Sequence, residues 1–423
     1  RNAVENKLDT LRVETLLPNV SYPLAGDESV PDPLDCTNIH VPKVDMPQSG
    51  LMTLTSVNTD ASNLAQVGLL GNGWLTYSTQ DDFFLAQPSH GWWWSRWQRQ
   101  QTAIHHFSLT ETRAKYLSSA VVPGSINDSF SMSFREGNLR IATTATIASS
   151  DNRFFTTRNH LMVLSDDIKG GMQIRGAVRD FAAGETIFSA RFFDDKAFVV
   201  TFRQVDPLFA FDLSDPENPR IVSELKIPGF SRYIHPIDAN TLLTIGRDGD
   251  DSGLSDSITV KLFDVSDLSA MQLLDSYVPE VGGYSWSAAN WDHHAFTYYA
   301  PLDLLSIPVF SYDSRSDVSF SGMLALNINL TSGQINELGR VDHRDLLSQF
   351  CLEQTSNWCE QGGYTSGWLS QTKRSVIMQG NSSNYLYSLS NIGLKATDLA
   401  DFGTSAGSLL FPQPAALNDY YLY

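Results

Sequence analysis

Lys196-Ala197-Phe198-Val199-Val200-Thr201-Phe202, then Leu208-Phe209-Ala210-Phe211-Asp212-Leu213-Ser214-Asp215, then Arg220 to Gly229, are answered almost at once by a second copy. That copy runs Thr241 to Gly246, then Ile258-Thr259-Val260-Lys261-Leu262-Phe263-Asp264-Val265-Ser266-Asp267, then Met271 to Pro279. A leading run precedes each: Gly184-Glu185-Thr186-Ile187-Phe188-Ser189 and Tyr233-Ile234-His235-Pro236-Ile237-Asp238. Each copy is four short apolar runs separated by Asp, Asn, Gly and Pro, which is the period-2 pattern of strands between turns. Ser214 and Ser266 lie 52 positions apart, and Ser165 lies 49 before Ser214. A four-stranded unit recurring at about 40 to 50 residues predicts all-β architecture built of β-propeller blades.

Four further runs carry a resemblance: Asn138 to Thr144, Val199 to Leu208, Ile227-Pro228-Gly229-Phe230-Ser231 and Trp291-Asp292-His293-His294-Ala295-Phe296. In this order they resemble the secreted β-propeller-domain family distantly related to WD-repeat proteins. The resemblance spans roughly Leu16 to the C-terminus and implies a propeller of four-stranded antiparallel blades. Members usually begin with a further N-terminal propeller portion, so six blades visible here imply seven or eight when complete. The family is largely uncharacterised, and the resemblance transfers no catalytic residue.

Outward from the two template blades the same pattern continues. A first blade is expected in Leu51 to Val122, a second in Ile126 to Val178, a fifth in Ala295 to Val341 and a sixth in Gly367 to Leu399. Ser408 to Phe411 reads as one more strand, completing a blade whose other strands come from the N-terminal side. Residues 1–50 differ, with a short helix expected at Val4 to Leu17 and a Pro- and Asp-rich strap at Pro18 to Pro47. The division is therefore 1–50 as helix and strap and 51–423 as propeller.

The 23 Phe, 15 Tyr and 9 Trp among 423 residues provide bulky side chains for packing sheet on sheet. A formal charge of −18 disfavours nucleic acid and anionic lipid, which need clustered Lys and Arg, and favours cations or basic partners. No apolar run is long enough for a membrane helix, and Arg1 opens no signal-peptide pattern, so the chain reads as a mature or trimmed form that does not insert directly into a membrane. Cys351 and Cys359 are close enough for a local disulfide, which fits a secreted, periplasmic or cell-surface protein. Cys36 is left as a buried free thiol or the partner of a cysteine in an N-terminal segment.

Three constellations carry candidate chemistry. Asp248, Asp250, Asp251 and Asp256, alternating with Gly, are expected to converge as oxygen ligands for calcium, although they lack EF-hand spacing; the alternative is a solvated acidic hairpin. His235, Asp292, His293 and His294 are a candidate transition-metal set, with zinc or copper suited to imidazoles that meet where equivalent strands of successive blades converge. On a strand, adjacent residues face opposite ways, so one of His293 and His294, and one of His105 and His106, is expected at any one site. The alternative is that these histidines tie blades together. Trp92, Trp93, Trp94 and Trp97 form a candidate platform for a sugar or a partner protein. Carboxylate pairs such as Asp81-Asp82 and Asp166-Asp167 fall at expected turns and are explained by turn chemistry, and no HExxH or P-loop is present.

These features predict a secreted or cell-surface scaffold that binds a protein or other extracellular ligand and is stabilised by calcium. The alternatives are a metal-dependent enzyme with its His/Asp site in a central channel, or a subunit of a larger extracellular assembly whose partner supplies further N-terminal blades.

Overall fold

The computed structural model describes residues 34–46, 50–57, 64–89, 100–148, 155–202, 206–250, 253–313, 318–353, 369–380 and 382–412. They fall into two compact units, one within 1–187 and 213–220 and the other within 188–212 and 221–423. The expected helix at Val4 to Leu17 and the tryptophans at 92–94 and 97 lie outside the described residues.

In the first unit, Leu64–Leu70 pairs antiparallel with Leu51–Val57 and parallel with Ile39–His40, making a three-stranded sheet. The next sheet is an antiparallel meander of Leu75–Ser78, Asp82–Pro88, Gln101–Leu109 and Ala114–Pro123. A third follows with Met132–Arg135, Asn138–Ala148, Phe155–Asp166 and Met172–Phe181. Leu51–Val57 therefore opens a sheet of its own and is not part of the next blade. The strap is not wholly irregular either, because Ile39–His40 enters that sheet. The strand Leu64–Leu70 escapes a pattern reading because Leu69-Leu70 breaks its alternation.

The second unit repeats the meander. Its sheets are Thr186–Phe193, Lys196–Phe202, Asp206–Asp212 and Arg220–Ile227; then Phe230–Pro236, Thr241–Asp250, Gly253–Asp264 and Gln272–Tyr277. Tyr284–Trp286, Leu304–Tyr312, Val318–Asn329 and Gln334–Asp342 follow, with Thr297–Tyr299 also beside Leu304–Tyr312. The last sheet is Thr372–Gln379, Asn384–Ser390, Gly393–Asp398 and Asp401–Leu410. Five of the seven sheets among the described residues are four-stranded meanders, the blade of a β-propeller. The tail expectation is corrected: Asp401–Leu410 pairs with Gly393–Asp398 as the fourth strand of its own sheet.

Burial explains why the middle strands read as apolar runs. Lys196–Phe202 and Leu304–Tyr312 are buried along nearly their whole length, whereas the outer Gln272–Tyr277 alternates half-buried and exposed. A middle strand has sheets on both faces, so both sets of its side chains leave water. Between the fourth and fifth sheets, Phe198, Leu208, Ile234, Leu242 and Phe263 form one core cluster. The repeated Asp-x-Ser-Asp words are turn chemistry: Asp264 accepts a hydrogen bond from the Ser266 amide at 2.8 Å, and Asp267 does the same for Ser269 at 2.8 Å.

Helix α1, Arg344–Glu353, buries Leu346 and Phe350 against Leu369 and Ile392. Cys351 on this helix is disulfide-bonded, while Cys359 lies outside the described residues. Cys36 is a free thiol, but it is exposed on the short 3-10 turn Cys36–Asn38 and not buried as one sequence reading had it.

Candidate functional site

Two glycines in the second unit fix where an aromatic-lined cleft begins. Gly229, at φ +75°, sends the chain into Phe230–Pro236, and Gly283, at φ +60°, sends it into Tyr284–Trp286. A side chain is strained in this left-handed region, and a Cβ on Gly283 would lie 2.0 Å from the Tyr312 carbonyl oxygen. Phe230 pairs with Arg247, and a register shift between Ser231 and Tyr233 places Arg232 at a bulge, a device that re-aims a side chain. Gly246 allows the two strands to meet, since a Cβ there would fall 1.7 Å from the Phe230 carbonyl oxygen.

The first strands of three successive sheets thereby bring Phe188, Phe230 with Arg232, and Tyr284 with Trp286 to one cleft of about 620 Å³, within the usual range of ligand pockets. Arg247, Asn290, Trp291 and Tyr312 complete its lining. The aromatic rings support one another: Phe188 and Phe230 have centroids 5.1 Å apart, Tyr284 and Tyr312 are 5.2 Å apart, and Trp286 stacks on Trp291 at 5.5 Å. Both arginines lie over rings, Arg247 4.4 Å from the Tyr284 centroid and Arg232 5.3 Å from that of Phe188. Arg247 also donates from Nη1 to the Ser285 carbonyl at 3.2 Å. No Asp or Glu is among the nine lining residues. Asn290 is 6% exposed, and its Oδ1 is buried without a hydrogen-bond partner.

The candidate metal residues follow directly in the chain. Asp292 caps a 3-10 turn, His293–Ala295, by accepting the His294 amide at 3.1 Å. Because the histidines sit on this turn and not on a strand, they do not face opposite ways: their rings are 3.9 Å apart. One ligand atom from each of Asp292, His293 and His294 lies within 4.8 Å of the others. Arg374 donates to Asp292 Oδ2 at 2.6 Å and, despite some burial, helps hold the carboxyl below its usual range. His235 is not in this group. It packs against Phe296 at 5.0 Å and Tyr298 at 5.9 Å, and burial, reinforced by Arg191, depresses its imidazole to about 4.

The Asp-rich stretch is the turn between Thr241–Asp250 and Gly253–Asp264, which pair as a hairpin through Asp250 and Gly253. Asp248 is half-buried on it, while Asp251 and the side chains of Asp250 and Asp256 lie outside the described residues.

In the first unit, His106 is 3% exposed, stacks on Phe84 at 4.2 Å and is gripped by two carboxylates: Asp166 Oδ2 at 2.9 Å from Nδ1 and Asp82 Oδ1 at 2.8 Å from Nε2. Ser118 donates to the other Asp166 oxygen. Burial is the largest single influence and opposes the imidazolium, but the two carboxylates together outweigh it and raise the pKa. His106 thus links the Gln101–Leu109 and Phe155–Asp166 strands of neighbouring sheets, and Asp82 and Asp166 do more than form turns. His105 faces the other way, to Ser119 at 2.6 Å, as strand alternation requires.

A family model described as the beta propeller domain matches residues 1–402. The chain belongs to that family. Among beta propeller domain relatives, an uncharacterized protein of Archaeoglobus fulgidus is 37% identical over 219 residues, covering 50% of this chain and 31% of the relative. Another from Methanocaldococcus jannaschii is 34% identical over 234 residues, covering 55% of this chain and 34% of the relative. The matches thus span about a third of the curated relatives' length. Among solved structures, the periplasmic gluconolactonase of Pseudomonas aeruginosa is similar, with TM-score 0.40 and 11% identity, covering 85% of this chain and 96% of that one. The cleft of this beta propeller protein was missed in the sequence because its residues come from separate strands. The available signal was the repeated Gly-aromatic entry, Gly229-Phe230 and Gly283-Tyr284.

Proposed function

We propose that this protein is a binding module whose ligand sits in the cleft between the first strands of the fourth, fifth and sixth sheets. The observation that carries this reading is the aromatic lining of the cleft, in which Trp291 is 63% exposed and stacks on Trp286. A ligand that covers exposed aromatic surface gains about 25 cal/mol for each Å² of apolar area removed from water. The aromatic walls supply area, and the rigid strands that carry them restrict motion on binding.

A second reading, a transition-metal site, has its own observation in the convergence of Asp292, His293 and His294. Two imidazoles and a carboxylate suit zinc or copper, with the Arg374 ion pair as the competitor for Asp292. The expected calcium role of the Asp248 to Asp256 hairpin and a secreted location remain parts of the proposal.

Thermal melting tests these readings together. A small-molecule library, zinc and calcium are each added to the wild-type chain, to Trp291→Ala and to His294→Ala. A compound that raises the wild-type Tm and loses its effect only in Trp291→Ala supports the cleft, since native-state ligands stabilise by mass action. Stabilisation by zinc that disappears in His294→Ala supports the metal site. Hits insensitive to Trp291→Ala count against the cleft, and a melt unmoved by zinc counts against the metal. Calcium stabilisation supports the hairpin as its site.

A further inference from the structure

Given both readings, the aromatic cleft and the metal triad, residues 287–296 join two sites in one short stretch of backbone. Two 3-10 turns stand there in succession: Ala288–Asn290, whose cap Ser287 accepts the Ala289 amide at 3.2 Å, and His293–Ala295, whose cap is Asp292. Trp291 lies between them, and the amides of Trp291 and Asp292 both donate to the Ala288 carbonyl, at 3.1 and 2.9 Å. The backbone that carries the cleft's exposed indole thus runs directly into the backbone that carries the candidate metal ligands. A shift of Asp292 is transmitted to Trp291 through that shared carbonyl. The Trp291 side chain, being 63% exposed, moves without unpacking a core.

Asp292 divides its carboxylate between two tasks. Its Oδ1 accepts the His294 amide and lies 3.2 Å from His294 Nδ1, which holds the second turn together. Its Oδ2 accepts from Arg374 at 2.6 Å, which ties the turn to Thr372–Gln379, the first strand of the last sheet. A divalent ion held with His293 and His294 takes a share of the same carboxylate and sets two positive charges beside a third. The Arg374–Asp292 pair is 41% and 33% exposed, so water readily takes over the guanidinium, and an ion pair in such a setting is weak. The metal therefore displaces Arg374, exchanging a tether to the last sheet for a clamp within the turn. These are the two discrete arrangements that coupling between sites requires.

We propose that Asp292 is a two-position switch through which a divalent transition metal resets the wall of the aromatic cleft. Paired with Arg374, Asp292 holds the turn to the last sheet, with Trp291 stacked on Trp286. Drawn to the metal with His293 and His294, it lets the tether part, and the indole settles differently at the cleft. By linkage, a cleft occupant that prefers one position of Trp291 changes the affinity for metal by the same factor as metal changes the affinity for that occupant.

The test uses zinc as the metal and acrylamide, a collisional quencher of tryptophan fluorescence, on the full chain. Zinc affinity is read by calorimetry, and the Trp291 contribution is the difference in quenching between the wild-type chain and Trp291→Phe. The expected result is that zinc changes the Trp291 quenching constant at least twofold, and that His294→Ala abolishes the change and weakens zinc at least tenfold. Arg374→Gln should bind zinc at least threefold more tightly, because the competitor for Asp292 is gone. Without zinc, its Trp291 quenching should already lie nearer the zinc-bound value than the zinc-free wild-type value. Melting curves establish that each variant is folded, and the wild-type measurement stands without them. Zinc that binds through His294 but leaves Trp291 quenching unchanged overturns the switch and leaves the metal reading standing. Equal or weaker zinc binding by folded Arg374→Gln overturns the exchange of partners at Asp292, and the switch with it. If zinc does not bind, or binds regardless of His294→Ala, the metal reading and the switch both fall, while the cleft reading still rests on its own Trp291-dependent compounds.

Discussion

His106 and His105 are neighbours in sequence with opposite protonation behaviour. His105 is fully buried, and desolvation pushes it down to about 4; the same cause, with a contribution from Lys395, brings His343 to about 4. His106 is almost as deeply placed, yet its two carboxylates raise it above 6.5. The consequences for stability have opposite signs. For His105 and His343 the unfolded chain binds more protons between about 4 and 6.5, so stability is lost as pH falls through that window. For His106 the contribution is fully present below 6.5 and is lost as pH rises through the raised folded value. Ring-proton NMR should therefore find His105 and His343 titrating near 4 and His106 above 6.5. A His106 midpoint at or below 6.5 would refute the clamp. Replacing His106 by Asn should cost about 3 kcal/mol, the low end for breaking a buried ion pair, because both carboxylates retain some access to water.

At the scale of elements, the cleft depends on how closely Phe230–Pro236 lies on Thr241–Asp250. Gly246→Ala puts a methyl group against the Phe230 carbonyl, so the strands must part. The expected cost is about 1–3 kcal/mol in urea melts, with loss of any cleft ligand because Phe230 and Arg232 move with the strand. Gly407→Ala is the control: nothing lies within 4 Å of its added methyl, and its effect should stay within about 0.5 kcal/mol. Equal costs for the two would mean that the close approach at Gly246 is unimportant. The strands of the template blades were legible in the sequence because alternation and Asp-x-Ser-Asp turns are local patterns. The Leu64–Leu70 strand and the cleft were not. Phe188 and Trp291 are more than 100 positions apart, and only the pairing of whole sheets brings them to one site. Reading the His293-His294 pair as strand residues failed for a related reason, since the Asp292 cap turns that backbone into a 3-10 helix.

On the scale of the whole molecule, the repeat made the fold readable, while charge was informative only as an average. The −18 total describes an acidic chain but says nothing of the cleft, whose nine described lining residues include two arginines. The final sheet has a further consequence. Asp401–Leu410 is its outermost strand, largely exposed, with Leu409 60% exposed, and residues 402–410 contain no charge and no proline. Edge strands are commonly guarded against pairing by Lys, Pro or inward charges, and this one has none of these along most of its length. Two copies could join edge to edge at the ordinary strand spacing of about 4.8 Å, extending each sheet into the next molecule. Light scattering should then rise with protein concentration and be suppressed by Leu409→Lys; scattering that is unaffected by that substitution would locate self-association elsewhere. The strand that finishes the last blade would thus also set the concentration at which solutions stay monodisperse.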